Sequence, residues 1–248
     1  MSTIYILWLR QLKRYFRSRS RIIGSIGQPL LFLLALGFGF GPIFQKAGGG
    51  NYIQFLAPGI IAMSIIFTAI FSGIEIIWDR QFGFLKETLV APVSRFNIMI
   101  GRTLGGATVA SLQGIIVLFI SFLIGFRPVS IALFPAAMVF ILLTALLFTA
   151  LGTAIASLLT DMQGFQLIMN FLVMPLFFLS GALFPLEGLP KGLITAARID
   201  PLSYGVDGLR GTLANSAHFG IITDFLTLSI ITAIFLAIGS YLFSKIEI

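Results

Sequence analysis

Residues 53–78 read IQFLAPGIIAMSIIFTAIFSGIEIIW. The run crosses 22 positions from Ile53 to Ile74 without one charged side chain before it meets Glu75. An α-helix crossing the roughly 30 Å hydrocarbon layer of a bilayer needs about 20 predominantly apolar residues, so this run is long enough. Five more stretches qualify: residues 22–44, 103–126, 131–159, 165–184 and 221–243. Helices are the expected form, because backbone groups in lipid must find partners within their own segment. The alternating ten-residue pattern of a membrane barrel is absent.

The composition agrees. Of 248 residues, 58% are hydrophobic and only 10% charged. A soluble domain has about 25% charged residues, and these are too few to cover a water-facing surface. The expected fold class is an all-α polytopic membrane protein with six transmembrane helices. With no cysteine there is no disulfide, thiolate metal site or cysteine nucleophile, and a single histidine, His218, makes no histidine cluster.

Sixteen basic side chains set the orientation. Arg10, Lys13, Arg14, Arg17, Arg19 and Arg21 precede span one; Arg80, Lys86, Arg95 and Arg102 lie between spans two and three; Lys245 follows span six. The other side holds Lys46, Arg127, Lys191, Arg198 and Arg210. The positive-inside rule places both termini in the cytoplasm. The net charge of +7 is then a topology signal, and no nucleic-acid partner is expected. The first apolar stretch exceeds a signal-peptide core and reads as a retained span.

Residues 1–21 form a basic amphipathic segment. Ile4, Tyr5, Trp8, Leu9, Leu12, Tyr15 and Phe16 share one helical face, with Arg10, Lys13, Arg14, Arg17 and Arg21 opposite. The expected position is flat on the cytoplasmic surface, as an anchor on anionic membrane lipid or a lever leading into span one. Residues 22–248 make a single six-span transmembrane domain.

The only sizeable cytoplasmic loop, residues 79–102, carries a short amphipathic helix. Phe82, Phe84, Leu85, Leu89 and Val90 are apolar amid Arg80, Lys86, Glu87 and Thr88. Pro92 ends it, Ser94 is placed to cap the next helix, and Gly101 and Gly105 form a small-residue face for close packing. The ridge suits either a socket on another protein or the membrane interface. Glu75 and Asp79 share a face near the inner end of span two and, with Arg80, could form a polar cluster at a cytoplasmic gate. Interfacial solvation accounts for them equally well, and Asp161, Gln166 and Asn170 are similarly open. Beyond span five, residues 185–220 are too apolar to float in water. Leu189, Leu193, Ile194 and Ala197 line one short helix, Pro201 breaks it, and a second runs over residues 204–213.

The run DRQFGFLKETLVAPVSR, residues 79–95, resembles the signature of type 2 ATP-binding-cassette (ABC) exporter permeases: an acidic–basic pair, a glycine, a Leu-x-x-Leu-type helix and a proline. FLAPGIIAM (55–63), DMQGFQLIMNFLVMPLFFLSGALFPLEGLP (161–190) and IDPLSYGVDGLRG (199–211) extend the resemblance over almost the whole chain, toward the daunorubicin-resistance and nodulation lipo-oligosaccharide export branch. It implies that the loop helix docks on a separate ABC ATPase subunit through Phe82, Phe84, Leu85, Lys86, Glu87 and Leu89. It also implies a homodimer or heterodimer of permeases in the inner (plasma) membrane of a prokaryote, amphipathic cargo, and re-entrant short helices between spans five and six.

No Gly-Lys pair exists in the chain, so a phosphate-binding loop is excluded; ATP and Mg are expected on the partner, with no cofactor here. No catalytic constellation or metal set can be nominated, which leaves a lipid enzyme without a basis. A secondary transporter or channel independent of an ATPase remains the alternative, as does a membrane scaffold. Absence of visible inverted halves and scarcity of intramembrane charge count against the former.

Overall fold

A computed structural model describes residues 2–48 and 50–246; the side chains of Arg21 and Glu247, both counted in the charge balance, lie outside what is described. All regular structure among the described residues is helical. Six helices are long and apolar enough to cross a membrane: 22–46, 52–81, 95–124, 134–158, 162–179 and 221–244.

The chain opens with α1 (Thr3–Arg17), capped by Ser2, whose side chain accepts from the Tyr5 N–H. Span one is α2 (Arg19–Lys46). Span two is α3 (Tyr52–Phe71) continued by α4 (Ile74–Gln81). At the step between them, Glu75 and Ile76 donate to the carbonyls three residues back, Ser72 and Gly73, a local tightening of the helix. A short α5 (Phe84–Val90) follows. Span three is α6 (Arg95–Ile124), span four α7 (Phe134–Leu158) and span five α8 (Met162–Leu179). The connecting α9 (Lys191–Ile199) and α10 (Pro201–Ala214) lead to span six, α11 (Ile221–Ser244).

The cap residues do what their chemistry suits them for. Ser94 accepts from the Asn97 N–H at the start of α6. Asp161, open between gate and solvation on sequence grounds, is the N-cap of α8, bonded to the N–H groups of Gln163 and Gly164. Pro201 occupies the first turn of α10, where its missing N–H costs nothing, and Asp200 caps that helix.

α3 sits at the centre, packed by α6, α7, α2 and α10, and nearly its whole inner length is buried. α11 lies along α7. α2, α8 and α11 present most of their surface outward, with Leu31, Phe38, Leu167, Phe171 and Ile230 exposed. Those side chains are what a lipid-facing surface requires.

Part of the apolar face of α1 packs along α6. Leu7, Leu12 and Tyr15 are buried, and the Tyr15 hydroxyl donates to Gln113 Oε1 at 2.9 Å. Gly101 and Gly105 make this possible. A Cβ at Gly101 would sit 3.0 Å from the Ile4 carbonyl, and one at Gly105 would meet Gln11 Cγ at 2.6 Å. The small-residue face read from the sequence therefore accepts α1. Tyr5, Ile6 and Phe16 remain exposed and available to a membrane surface.

Candidate functional site

At the end of the bundle that carries both termini, α4 is a charged hub. Glu75 and Asp79, one turn apart, face α1 and α6. Asp79 accepts from Arg10 through both oxygens, at 3.0 and 2.9 Å, and from Arg102 Nη2 at 2.6 Å. Arg14 lies 3.6 Å from Glu75. Arg102 is only 3% exposed, and its Nε and Nη1 have no protein acceptor among the described residues. Asp79 is thus the main compensation for a buried guanidinium, and the pair cannot be separated cheaply.

Arg80 does not join this cluster. It turns the other way, donating to the carbonyls of Leu159 and Ser157 at 3.0 and 3.2 Å, while Gln81 Nε2 reaches the Thr160 carbonyl at 3.1 Å. These carbonyls lie at and just beyond the C-terminal end of α7, where the helix offers them no N–H of its own. The residues read together as a gate are in fact split over two faces of α4. One face holds α1 and α6, the other holds the α7–α8 connection.

α5 hangs from this hub. Gly83, at φ +81°, makes the left-handed turn that reverses the chain, a conformation a Cβ would strain. Ala91 is extended because Pro92 follows it. Of the residues assigned to docking, Leu85 is 2% exposed and belongs to the main core, and Leu89 packs against that core. Phe84 lies under the Arg10 guanidinium, 3.7 Å from its ring centroid. The outward face of α5 is Lys86, Glu87 and Val90 (78% exposed), and Phe82 (79% exposed) stands just before the helix at the C-cap of α4. Seven residues make two turns, so one side of α5 must be anchor and the other free. Amphipathicity identified the helix but could not say which apolar residues point inward.

Arg10, Arg14 and Arg102 are the site residues the sequence reading missed. Arg102 was counted as a loop charge, yet it lies inside α6, seven residues beyond Arg95. The signal was present: a cap at Ser94 puts Arg102 two turns into a helix, where an ionisable residue is a functional candidate. Arg95 adds a further tie, donating to the Ile246 carbonyl at 2.9 Å and to the Ser244 carbonyl at the end of α11. No group of three or more metal-ligating side chains occurs among the described residues.

The expected helix pair between spans five and six is present as α9 and α10. α10 is almost wholly buried, packed on α3, α7 and α11. Arg210 is 7% exposed; its Nη2 donates to the Gly181 carbonyl at 3.0 Å and to that of Phe55 at 3.4 Å. Its guanidinium lies 4.0 Å from the Phe55 ring centroid. Burial lowers its pKa to about 10, so it remains charged at neutral pH. Asp207 accepts from the backbone N–H groups of His218 and Phe219, pinning the loop that leads into α11.

Comparison with known proteins places these features in context. Residues 2–214 match the family described as ABC-2 type transporter. The chain is 31% identical over 208 residues to Nodulation protein J of Rhizobium leguminosarum bv. trifolii, covering 83% of this chain and 76% of the relative. It is 29% identical over 221 residues to the putative transport permease ycf38 of Cyanophora paradoxa, covering 86% and 75%. The corresponding ycf38 of Pyropia yezoensis is 32% identical over 216 residues, covering 84% and 72%.

Proposed function

The chain belongs to the ABC-2 type transporter family, as a multi-pass membrane permease, and from that premise we propose that it is the transmembrane subunit of an ATP-driven exporter. A separate ATPase docks on the outward face of α5. The single observation that carries this is the division of α5. Val90 stands exposed on α5 and Phe82 stands exposed just before it, at the C-cap of α4, while Leu85 on the other side of α5 is sunk in the core. An apolar ridge held that firmly is suited to receive force from a partner. ATP and Mg would be held by that partner, and the chemistry they supply is hydrolysis there.

What this chain contributes is transmission. A rigid displacement of α5 pulls on Leu85 and on Phe84, stacked under Arg10. Arg10 is bonded to Asp79, Asp79 to Arg102, and Arg80 to the end of α7. Motion at α5 therefore reaches α1, α4, α6 and α7 together. Packed elements of this kind shift between discrete arrangements rather than bending continuously. A ligand shifts such an equilibrium only by its differential affinity for the two states, which ATP supplies on the partner.

Orientation follows the basic residues, with both termini cytoplasmic in a prokaryotic inner membrane and cargo moved outward. Six spans enclose little space for a bulky amphiphile, which favours a path between two permeases, identical or related. Gln166 and Asn170 support this: one turn apart, they are exposed on α8 among Leu167 and Phe171. Polar side chains facing lipid gain by hydrogen bonding across a helix interface.

The decisive experiment is co-purification with the candidate ATPase. Phe82→Arg and Val90→Arg are expected to insert normally but to lose the ATPase subunit and stimulated hydrolysis. Retention of that subunit with unchanged affinity and activity would remove the docking assignment. An exporter also requires cargo movement to stop without hydrolysable ATP; movement that continues points to the secondary-transporter reading.

A further inference from the structure

Where α10 hands over to span six, two carboxyl groups meet inside the protein. Asp207 lies in the middle of α10 and Asp224 in the first turn of α11, and they are 3% and 0% exposed. Their side chains are within hydrogen-bonding reach of each other. This end of the bundle is the outer one in the orientation proposed above.

The two groups are not equivalent. Asp207 is supplied with donors: the His218 N–H lies 2.7 and 2.9 Å from its two oxygens, and the Phe219 N–H 2.7 Å from one of them. Arg210, one turn further along α10, adds a favourable charge. Asp224 has no such support. Neither of its oxygens has a donor among the described residues, and both are closed off from solvent. An ionised carboxylate buried without a donor and set against a second carboxylate is strongly unfavourable. The first turn of a helix favours negative charge only modestly and does not offset that. A proton between the two removes the conflict. Asp224 then donates an O–H to Asp207, and a repulsion becomes a charge-assisted hydrogen bond.

A metal ion also joins carboxylates, but it does not fit here. Both Asp224 oxygens are enclosed by protein, and no group of three or more metal-ligating side chains occurs among the described residues. A proton needs neither space nor further ligands.

We propose that Asp207 and Asp224 share one proton, and that this proton is a pH-sensitive latch holding loop 215–220 and the start of span six on α10. The loop is seated closely. A Cβ at Gly211 would meet Ala217 Cβ at 2.9 Å and Ile221 Cγ1 at 3.0 Å, and Phe219 packs on Tyr204 with ring centroids 5.1 Å apart. Without the proton, two buried charges stand side by side, and the nearest relief is for Asp224 and the loop to leave α10 for water. The latch is closed while the proton is held and opens as rising pH removes it. Only the side of the membrane on which pH is sensed rests on the proposed orientation.

Other titratable groups surround the pair. Tyr204 and Arg210 lie on α10, and Arg198 and Asp200 act on Tyr204. In the loop, His218 Nδ1 is 3.5 Å from Glu187 at the outer rim. α7, packed along α11, has no titratable side chain, and the arginines of α6, Arg95 and Arg102, are at its opposite end. His218 is the competing sensor, because histidine is the usual side chain to change charge near neutrality.

The test is hydrogen exchange of the full chain in lipid nanodiscs, without an ATPase, from about pH 6 to about pH 9, with exchange times scaled for the pH dependence of the chemical step. Opening releases the proton, so the opening constant rises about tenfold per pH unit while the closed form keeps it. We expect protection over residues 215–224 to fall accordingly, relative to α7. His218→Gln and Asp200→Asn leave that fall in place. Asp224→Asn supplies a permanent N–H to Asp207 and stays protected throughout. An infrared difference between wild type and Asp224→Asn shows the carbonyl stretch of one protonated carboxyl. Wild-type protection indifferent to pH, a fall that survives Asp224→Asn or vanishes in His218→Gln, or no carboxylic-acid band in the difference overturns the latch. Loss of protection on adding EDTA at constant pH overturns it too, in favour of a metal ion. The wild-type profile and His218→Gln keep the test decisive where Asp224→Asn does not fold. Neither ATP nor transport is measured, so the latch and the export reading fail separately.

Discussion

Asp79 is the residue on which the charged hub turns. It carries one charge against two guanidinium groups, one of them buried. Removing one partner of a buried pair costs about 3–5 kcal/mol, because the other is left charged and unsolvated. Asp79→Asn is therefore expected to lower thermal stability in detergent far more than Glu187→Gln at the exposed rim, and a melting comparison reads the difference. Asp200 makes the opposite case. Burial pushes its carboxyl up to about 8, although the Leu202 N–H bonds to it. Its ordinary value is 3.8, so the folded chain holds a proton that the unfolded chain releases above about pH 4. Its contribution is fully present below about pH 4 and declines as pH rises to about 8. Asp200→Asn keeps an acceptor for Leu202 and loses the buried acid. The variant is expected to melt above the wild type by a margin that widens from about pH 5 to about pH 8. A constant margin would show that titration of this group is not involved.

At the scale of the element, α5 and α1 illustrate one limit of reading periodicity. Amphipathicity finds both helices, and both have two claims on their apolar faces. In α5 the claim is decided by Gly83 and Pro92, which fix how the helix leaves α4 and enters α6 and so rotate Leu85 inward. Leu85→Ala should cost about 2–5 kcal/mol of stability while leaving the exposed residues proposed for docking in place. Thermal melts and ATPase pull-down then separate the two sides of one helix. In α1 the claim is decided by α6, because glycines at 101 and 105 leave a groove that Leu7 and Gln11 fill. Gly105→Leu places a side chain where Gln11 already stands. The expected result is loss of α1 protection in hydrogen exchange while the six spans still insert. Unchanged protection would mean that α1 is held elsewhere.

For the whole molecule, topology ties the two faces to their roles. The absence of native cysteine makes single-cysteine labelling direct. In the proposed orientation, a cysteine at Ser2 or Ser244 should react with a membrane-impermeant thiol reagent only from inside, and one at Ala217 only from outside. Reaction of Ala217→Cys from the cytoplasmic side would invert the orientation and the export direction with it.

The sequence by itself determined the solvent and the skeleton: six apolar helices, a basic N-terminal helix, a loop helix ended by Pro92, and a helix pair broken at Pro201. These follow from local chemistry, because hydropathy, proline and capping residues act within a few positions of themselves. Only the tertiary structure decided which charges meet. Arg10 and Asp79 are 69 residues apart, and Arg210 and Gly181 are 29 apart. Their pairing depends on how α1 settles on α6 and α10 on α3, a choice made by close backbone approach and shared burial. No local pattern records that choice, because a helix face shows what it must bury but not against which partner.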